Sequence, residues 1–332
     1  MTISKPSYYD TFRCIASLCP DSCCKEWEVQ VDEASAAYYR SLTGPLGDRL
    51  RQVLRDDEDC GTLMTIENGR CPMWREDGLC RIQADLGEQA LCQVCTEFPR
   101  LRHDYGDFLE LGLELSCPEA ARIILNADPI PDIVEEIPGC EDAEYDTDAM
   151  DALKCSRNIA LSLLQLDRPV SERLALLLLY GYQAQAELDG EDELSFDPDT
   201  ALISVADFAK PGDIQQIAEF FQTLEILTPD WSNLLQQAAE LPLQEQCIPL
   251  ARYFIQRYWL QAVSDYDLSC RVKFAVIACL MVNSLPGNFT RNAQLFSKEI
   301  ENNTENVEAI LDAAYSAAPF TDDKLLGLLL KP

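Results

Sequence analysis

Cysteine is the residue type through which this sequence could do chemistry. Ten of its fifteen cysteines lie between Cys14 and Cys117 in a chain of 332 residues. Isolated cysteines inside proteins mostly behave as small buried hydrophobic residues. A concentration of this kind is instead typical of a site whose thiolates bind a metal ion or an iron–sulfur cluster.

The cysteine motifs fall in four segments whose spacing fits ligand-bearing turns. They read Cys14-x4-Cys19-x3-Cys23-Cys24, Cys71-x8-Cys80, Cys92-x2-Cys95 and Cys117-Pro118. Glycine adopts backbone conformations that other residues resist, so Gly78 allows a tight turn just before Cys80. Cys92 and Cys95 lie about one helical turn apart, and therefore on one side of a helix or knuckle.

Spacing alone leaves the kind of metal open. Structural zinc sites take four Cys or His ligands, usually as two C-x2-C pairs, but this chain has one such pair and a single histidine, His103. Cys/His fingers are therefore disfavoured, whereas a four-cysteine zinc site is compatible. Iron–sulfur clusters accept several cysteine spacings. The ferredoxin run C-x2-C-x2-C is absent, and Glu26 stands where a C-x3-C-x2-C loop would place its third thiol.

The charge and the N-terminus limit the partners and the compartment. A net charge of -31 repels phosphate backbones and anionic lipids, so we expect no nucleic-acid and no membrane partner. It would attract a basic, lysine-bearing protein, although it equally suits a solvated surface. Without an apolar signal segment the protein is expected to be cytoplasmic, where thiols stay reduced. An odd number of cysteines also argues against a disulfide framework.

Around the cysteines the pattern predicts short elements joined by irregular chain. Strands are expected at 27–31, 63–66 and 109–116, where apolar and polar residues alternate. Helices are expected from the cap Asp32 to Leu42 and over 46–56, 82–91 and 118–125. The Arg- and Asp-rich stretch around His103 is interpreted as a loop that exposes this histidine, with a role as a base as the alternative.

The C-terminal half is predicted to be entirely helical. Helical spacing of apolar residues covers 153–166, 171–188, 214–227, 231–241, 250–263, 268–285, 292–301 and 307–317. The acidic, Pro-rich stretch 128–150 is interpreted as a linker or surface excursion between a cysteine-rich metal- or cluster-binding domain, 1–127, and a helical domain, 151–332. The fold class is therefore mostly α, with an irregular cysteine-rich α+β N-terminal half.

The cysteine motifs carry a family resemblance. The segment Tyr8-Tyr9-Asp10-x-Phe12-x-Cys14-x4-Cys19-x3-Cys23-Cys24-x2-Trp27 resembles the opening of the flagellin lysine N-methylase (FliB-type) family. Similar to that family are also Gly69-Arg70-Cys71-Pro72, Asp77-Gly78-Leu79-Cys80, Cys92-x2-Cys95-x2-Phe98-Pro99-Arg100 and Cys117-Pro118-Glu119-Ala120-Ala121-Arg122. Beyond the cysteines, Tyr253-Phe254-x2-Arg257-Tyr258 is similar to the family's helical half. A looser resemblance links the chain to the zinc/iron-chelating cysteine-cluster (YkgJ-type) family.

The resemblance implies a methyl transfer from S-adenosylmethionine to a lysine of a protein, flagellin or another lysine-bearing substrate, by an enzyme with a [4Fe-4S] cluster. Nine positions match the cysteine motifs: Cys14, Cys19, Cys23, Cys24, Cys71, Cys80, Cys92, Cys95 and Cys117. One cluster needs four thiolates, so nine imply two sites or additional structural thiols. The first candidates are Cys19, Cys23, Cys80 and Cys95. The remaining cysteines are off the motifs: Cys60, Cys140, Cys155, Cys247, Cys270 and Cys279, the last expected in the core.

Catalytic residues are only weakly indicated. Tyr8, Tyr9 and Tyr105 are candidates by proximity in sequence, with core packing as the alternative for each. Glu97 and Arg100 follow Cys95 closely and either support the site or form a salt bridge. No Gly-rich strand–turn–helix motif is visible, so the sequence does not locate S-adenosylmethionine.

A second class of function stays open. The chain could be a non-enzymatic zinc- or iron-binding cysteine-cluster protein that acts as a structural or interaction module. Such a protein would have a closed, fully ligated site and would bind no S-adenosylmethionine.

Overall fold

Helices dominate the molecule, and strands are confined to its first part. The computed structural model describes residues 1–139, 143–191 and 195–330, so Cys140 and the middle of the stretch 128–150 lie outside the described residues. Within those ranges there are fifteen α-helices and seven strands, and every strand precedes Ile137. The predicted fold class is confirmed. None of the described helices combines the length and the apolarity needed to cross a bilayer.

The N-terminal half alternates short strands with short helices. Its elements are β1 (Thr2–Lys5), β2 (Val29–Val31), α1 (Glu33–Ser41), α2 (Gly44–Val53), β3 (Leu54–Asp57), β4 (Gly61–Met64), α3 (Arg81–Leu86), α4 (Gln93–Glu97), β5 (Arg100–Asp104), β6 (Phe108–Leu113), α5 (Pro118–Leu125) and β7 (Ile133–Glu136). Asp32 caps α1 as predicted, its side chain accepting a hydrogen bond from the Ser35 amide at 2.9 Å.

The strands form two sheets. Strands β5, β6, β1 and β7 make one sheet in that order, with β1 parallel to β6 and antiparallel to β7. Strands β2, β4 and β3 form a smaller antiparallel sheet. The segment 128–150 thus contains a strand that closes one edge of the larger sheet. The division of the chain into domains at this segment stays a prediction.

Three local predictions for the N-terminal half were wrong. Helix α2 ends at Val53, because residues 54–57 pair with β4 as strand β3. Helix α3 ends at Leu86, because Gly87 adopts a positive φ of 91° that breaks the helix before a separate 3-10 turn, Glu88–Ala90. The expected loop around His103 is instead strand β5, paired with β6.

The C-terminal half is a helical bundle. Its helices are α6 (Thr147–Leu163), α7 (Val170–Leu188), α8 (Pro198–Ser204), α9 (Ile214–Gln222), α10 (Pro229–Leu235), α11 (Cys247–Tyr258), α12 (Ser269–Ser284), α13 (Phe289–Phe296), α14 (Thr304–Ser316) and α15 (Asp322–Leu330). Helices α8 and α15 were not predicted. The central helix α12 is buried along its whole length, as its apolar composition indicates.

Two hydrophobic cores hold the chain. The smaller core joins β2, α1, α2 and the cysteine turns, and includes Tyr39, Leu50 and Met73. The larger core joins the helical bundle to Phe12, β6 and α5. The end of the cysteine-rich half therefore packs directly on the bundle.

A polar helix lies at this junction. Helix α13 continues into a π-helix, Ser297–Glu301, and all residues from Asn292 to Glu301 are buried although six of the ten are polar or charged. Short π-helices are rare and often mark functional sites. We call residues 292–301 the junction helix.

Candidate functional site

Each of the nine cysteines that match the motifs lies within electrostatic reach of at least one other motif cysteine. We distinguish a Cys14 group, comprising Cys14, Cys19, Cys23 and Cys117, from a Cys24 group, comprising Cys24, Cys71, Cys80, Cys92 and Cys95. Within each group the thiols lie close enough for the charge of one to raise the pKa of another. Adjacent Cys23 and Cys24 connect the two groups through a hydrogen bond between their side chains.

Backbone pairing fixes the loops that carry these thiols. The Cys71 amide donates to the Cys24 carbonyl at 2.8 Å, and Lys25 pairs with Arg70 in a β-bridge. The first cysteine segment is thereby held against the second. Asp32 connects a third segment, since its second carboxylate oxygen accepts a hydrogen bond from the Gln93 amide at 2.9 Å.

The helix starts favour thiolates at several of the positions. Cys80, Cys92 and Cys117 are the N-cap residues of α3, α4 and α5. None of the three side chains makes a capping hydrogen bond, but nearby backbone amides act to lower the pKa of each thiol. The free N–H groups at a helix N-terminus stabilise negative charge. These three positions therefore favour the charge of a ligand thiolate.

Backbone amides also lie near motif sulfurs that are not at helix starts. The Cys14 sulfur accepts a hydrogen bond from the Ala16 amide at 3.4 Å, and the Asp21 and Met73 amides act to lower the pKa of Cys19 and Cys71. Backbone N–H groups thus lie near six of the nine motif sulfurs. Hydrogen bonds of this kind tune the reduction potential of cysteine-bound clusters.

Burial opposes ionisation of the thiols until a cation is present. Burial raises the pKa of Cys117 to about 11, against the effect of its amide donors. The neighbouring Cys23 and Cys71 thiols lower the pKa of Cys24, and the Cys95 thiol lowers the pKa of Cys92 to about 7. Neighbouring thiols therefore share protons, and a bound metal ion would displace these protons.

The donor set fits a thiolate-bound metal centre in number and chemistry. Each group contains at least the four thiols that a [4Fe-4S] cluster or a zinc ion takes. In the ranges that the structure describes, however, no three Cys, His, Asp or Glu side chains already converge on one point suited to an ion. Coordination would thus require rotation of cysteine side chains. The four cysteines predicted first as cluster ligands divide between the groups: Cys19 and Cys23 belong to the Cys14 group, and Cys80 and Cys95 belong to the Cys24 group.

The described cysteines outside the motifs differ in their surroundings. Cys247 and Cys279 are buried together in the helical bundle, where the Cys279 sulfur donates to the Cys247 carbonyl at 3.4 Å. Cys60 and Cys155 are exposed, and Cys270 is buried beside Asp267. Cys279 is a core residue, as predicted, and Cys140 is not among the described residues.

The tyrosine candidates lie at the edge of the larger core. Tyr105 stacks on Phe108 with ring centroids 4.7 Å apart, and Tyr8 lines a small pocket between β6 and α11. Burial raises the pKa of both phenols, which keeps them protonated. Tyr9 is only partly buried and lies within electrostatic reach of Arg100 and Glu97.

His103 and Arg100 also have defined surroundings. His103 faces the pocket that Tyr8 lines, and its Nε2 atom is buried without a hydrogen-bond partner. Burial, together with Arg257, lowers the pKa of His103, so the imidazole is neutral. The expectation that His103 is exposed was therefore wrong. The Arg100 guanidinium lies over the Phe12 ring at 5.3 Å, while Glu97 accepts a hydrogen bond from Gln93.

A cleft beside the Cys14 group was not predicted from the sequence. It has a volume of about 780 Å³, and the first cysteine loop, the starts of α5 and α10, and α13 form its walls. At its base the Lys298 ammonium lies 3.1 Å from Asp21 Oδ2 and 2.5 Å from Glu26 Oε2. Lys298 is only 2% exposed and also lies over the Trp27 ring at 5.1 Å. The helical spacing of 292–301 gave no sign that this lysine points inward.

Strain in the same loop accompanies these contacts. Glu26 has a φ of 74° and Ala16 a φ of 49°, values that non-glycine residues rarely adopt. Strained backbone of this kind is concentrated at functional sites, where the surrounding structure enforces it. The Lys298 ion pair and the hydrogen bond from the Glu26 amide to the Gly69 carbonyl hold Glu26 in place.

These features define the class: a cysteine-cluster protein whose thiol groups adjoin a helical half. Comparison with known proteins narrows this class to one family. The chain is 33% identical over 132 residues to the flagellar biosynthetic protein FliU of Salmonella muenchen, a match that spans 38% of this chain and 78% of that protein. It is 33% identical over 132 residues to the lysine-N-methylases of Salmonella typhimurium and Salmonella choleraesuis.

The chain therefore belongs to the flagellin lysine N-methylase (FliB-type) family. The match to the two lysine-N-methylases spans only 33% of their length, again 38% of this chain. No model of a protein family matches the sequence, and no solved structure matches it.

Proposed function

We propose that this chain is an S-adenosylmethionine-dependent protein-lysine N-methyltransferase that holds an iron–sulfur cluster, of the [4Fe-4S] type. Family membership supports the reaction class. The observation that supports the proposal is the approach of four cysteine segments to one another, with backbone N–H groups near six sulfurs, beside a charged cleft. A reducing cytoplasm would keep these thiols available.

In the proposed reaction, a neutral lysine amine of the substrate attacks the methyl carbon of S-adenosylmethionine. The new C–N bond forms as the C–S bond of the sulfonium breaks, and S-adenosylhomocysteine leaves. The amine loses one proton to water for each methyl group that it gains. Since free lysine has a pKa of about 10.4, the enzyme must favour the neutral amine.

The chain's own residues would serve binding and docking. Four thiolates from the motif positions would hold the cluster, which when bound supplies cross-links between the cysteine segments and a redox-active centre. A surface with 57 acidic and 26 basic residues would attract a lysine-bearing protein. Flagellin is the first substrate to test, because the relatives carry flagellar and lysine-methylase names.

The first experiment is anaerobic purification followed by metal and sulfide analysis and an absorption spectrum with and without S-adenosylmethionine. The proposal expects about four iron and four sulfide per chain, a spectrum that the cofactor perturbs, and transfer of a labelled methyl group to lysine of flagellin. One or two zinc ions, no sulfide and no response would overturn it. That result would favour a zinc- or iron-binding structural or interaction module.

A matched pair of variants tests the thiol assignment. Cys95 and Cys60 are both exposed, but only Cys95 belongs to a thiol group. We expect Cys95→Ser to lower the iron and sulfide content and Cys60→Ser to leave it unchanged. Equal loss in both variants would contradict the assignment, since Cys60 does not match the cysteine motifs.

A further inference from the structure

The cleft at the junction combines depth with charges of both signs. Its lining includes three carboxylates, from Asp21, Glu26 and Asp230, and four cationic side chains, from Lys25, Arg122, Arg291 and Lys298. Prolines and Leu295 provide apolar surface between them. A lining of this composition suits a small molecule that carries both positive and negative groups.

The charges are arranged in two levels. At the base, Gln294 and Lys298 are buried and direct their nitrogens to Asp21 Oδ2 at 3.3 and 3.1 Å. At the rim, Arg291 pairs with Asp230 at 3.1 Å, and both side chains are mostly exposed. A ligand can therefore replace the weak rim pair at little cost, whereas the base is built into the fold.

The cleft also adjoins the thiols. Pro20 and Pro118 line it, and they directly follow Cys19 and Cys117 of the Cys14 group. The pocket that holds Tyr8 and His103 has a volume of only about 40 Å³, and no cysteine or sequence neighbour of a cysteine lines it. The junction cleft is thus better placed than that pocket for a molecule that must act next to the Cys14 group.

We propose that S-adenosylmethionine binds in this cleft, an inference that rests on the proposed function. Its ammonium and carboxylate groups match the rim residues Asp230 and Arg291, whose mutual pair they would replace. Its sulfonium would then face the carboxylates of Asp21 and Glu26, which pair with Lys298 and are 25% and 29% exposed. Arginine suits carboxylate because its planar fork donates two parallel hydrogen bonds. The methyl donor would then lie at the Cys14 group, with the open side of the cleft toward the protein substrate.

The test is calorimetric titration of S-adenosylmethionine into anaerobically purified wild type and three variants. Arg291→Glu reverses the rim charge, and Thr290→Trp fills the cleft from the half-buried first turn of α13. Arg102→Glu is the matched control, since Arg102 is 63% exposed and Arg291 64%, each has one carboxylate partner, and Arg102 lies on β5 outside the cleft. Iron and sulfide are measured in all four proteins.

We expect Arg291→Glu to weaken binding about tenfold or more, the effect of losing a charge-assisted hydrogen bond. Thr290→Trp should abolish binding, and Arg102→Glu should leave it unchanged, with equal iron content throughout. Wild-type affinity in both cleft variants would overturn the location but leave the methylase function standing. Absence of binding to iron-loaded wild type would overturn the proposed function together with the location.

Discussion

Replacing Lys298 by methionine should test how the cysteine loop is attached to the helical half. The ammonium is almost fully buried and forms ion pairs with Asp21 and Glu26. Although burial lowers the pKa of Lys298, hydrogen bonding to Glu26 and attraction by Asp21 raise it overall, so the group stays charged. Methionine keeps most of the volume of the side chain and removes the charge.

The size of the effect follows from the surroundings. Breaking a buried ion pair by removing one partner costs about 3–5 kcal/mol, because an uncompensated charge is left behind. Asp21 and Glu26 are 25% and 29% exposed, and Asp21 keeps a contact with Lys25 at 3.4 Å. Water and Lys25 would thus compensate in part, and we expect a loss near the lower end, about 3 kcal/mol.

Lys273→Met provides the matched control. Lys273 is 7% exposed and pairs with Asp322 at 2.9 Å, but all its partners lie within the helical half. Urea denaturation should show a loss of stability in both variants. Amide hydrogen exchange should increase across residues 19–28 only in Lys298→Met. A loss below about 1 kcal/mol, the range of exposed pairs, or equal exchange of this loop in both variants, would refute the reasoning.

Two further predictions concern the polar groups around α11. The Glu301 side chain is fully buried, accepts hydrogen bonds from Tyr253 and Tyr258, and pairs with Arg257 at 3.2 Å. Glu301→Ala should therefore lower the free energy of unfolding, measured by urea titration, by about 4 kcal/mol. A loss below about 1 kcal/mol would contradict this prediction. Burial and Arg257 lower the pKa of His103 below its ordinary value of about 6.5, so its contribution to stability is complete above that pH and is lost as the pH falls below it. His103→Gln should therefore lose less stability than wild type between about pH 7.5 and 5.5, and an equal loss in the two proteins would contradict the assignment.

Local signals in the sequence located much of the N-terminal half. Asp32 starts α1, and Pro118 starts α5, because a side-chain acceptor and a missing amide donor are favourable at those positions. The convergence of the nine motif cysteines followed from the resemblance to a known family. Their division into two groups did not, because it depends on how the Cys24–Cys71 and Asp32–Gln93 hydrogen bonds position the loops.

Elements without a hydrophobic pattern were missed. Strand β7 is fully exposed, so its residues carry no burial signal, and only pairing with β1 makes it a strand. The burial of residues in strand β5 does alternate, with Leu101 and His103 more buried than their neighbours. Its arginines and aspartate, however, are typical of a loop, and the segment was interpreted as one. The cleft is a tertiary feature, since Asp21 and Lys298 are far apart in sequence and meet only across the junction.

The polar composition of the junction helix has a structural consequence. Gln294 donates to the Ser116 carbonyl at 2.8 Å, Lys298 pairs with the cysteine loop, and Glu299 accepts from the Leu227 amide at 2.7 Å. Apolar side chains would allow several relative placements of the packed elements, whereas buried polar groups are satisfied only when every partner is in register. A buried network is weak evidence for stability, because desolvation offsets much of the attraction. In this protein Gln294, Lys298 and Glu299 together contact the cysteine loop and the segments that precede α5 and α10, so the network fixes these three elements in one arrangement around the cleft.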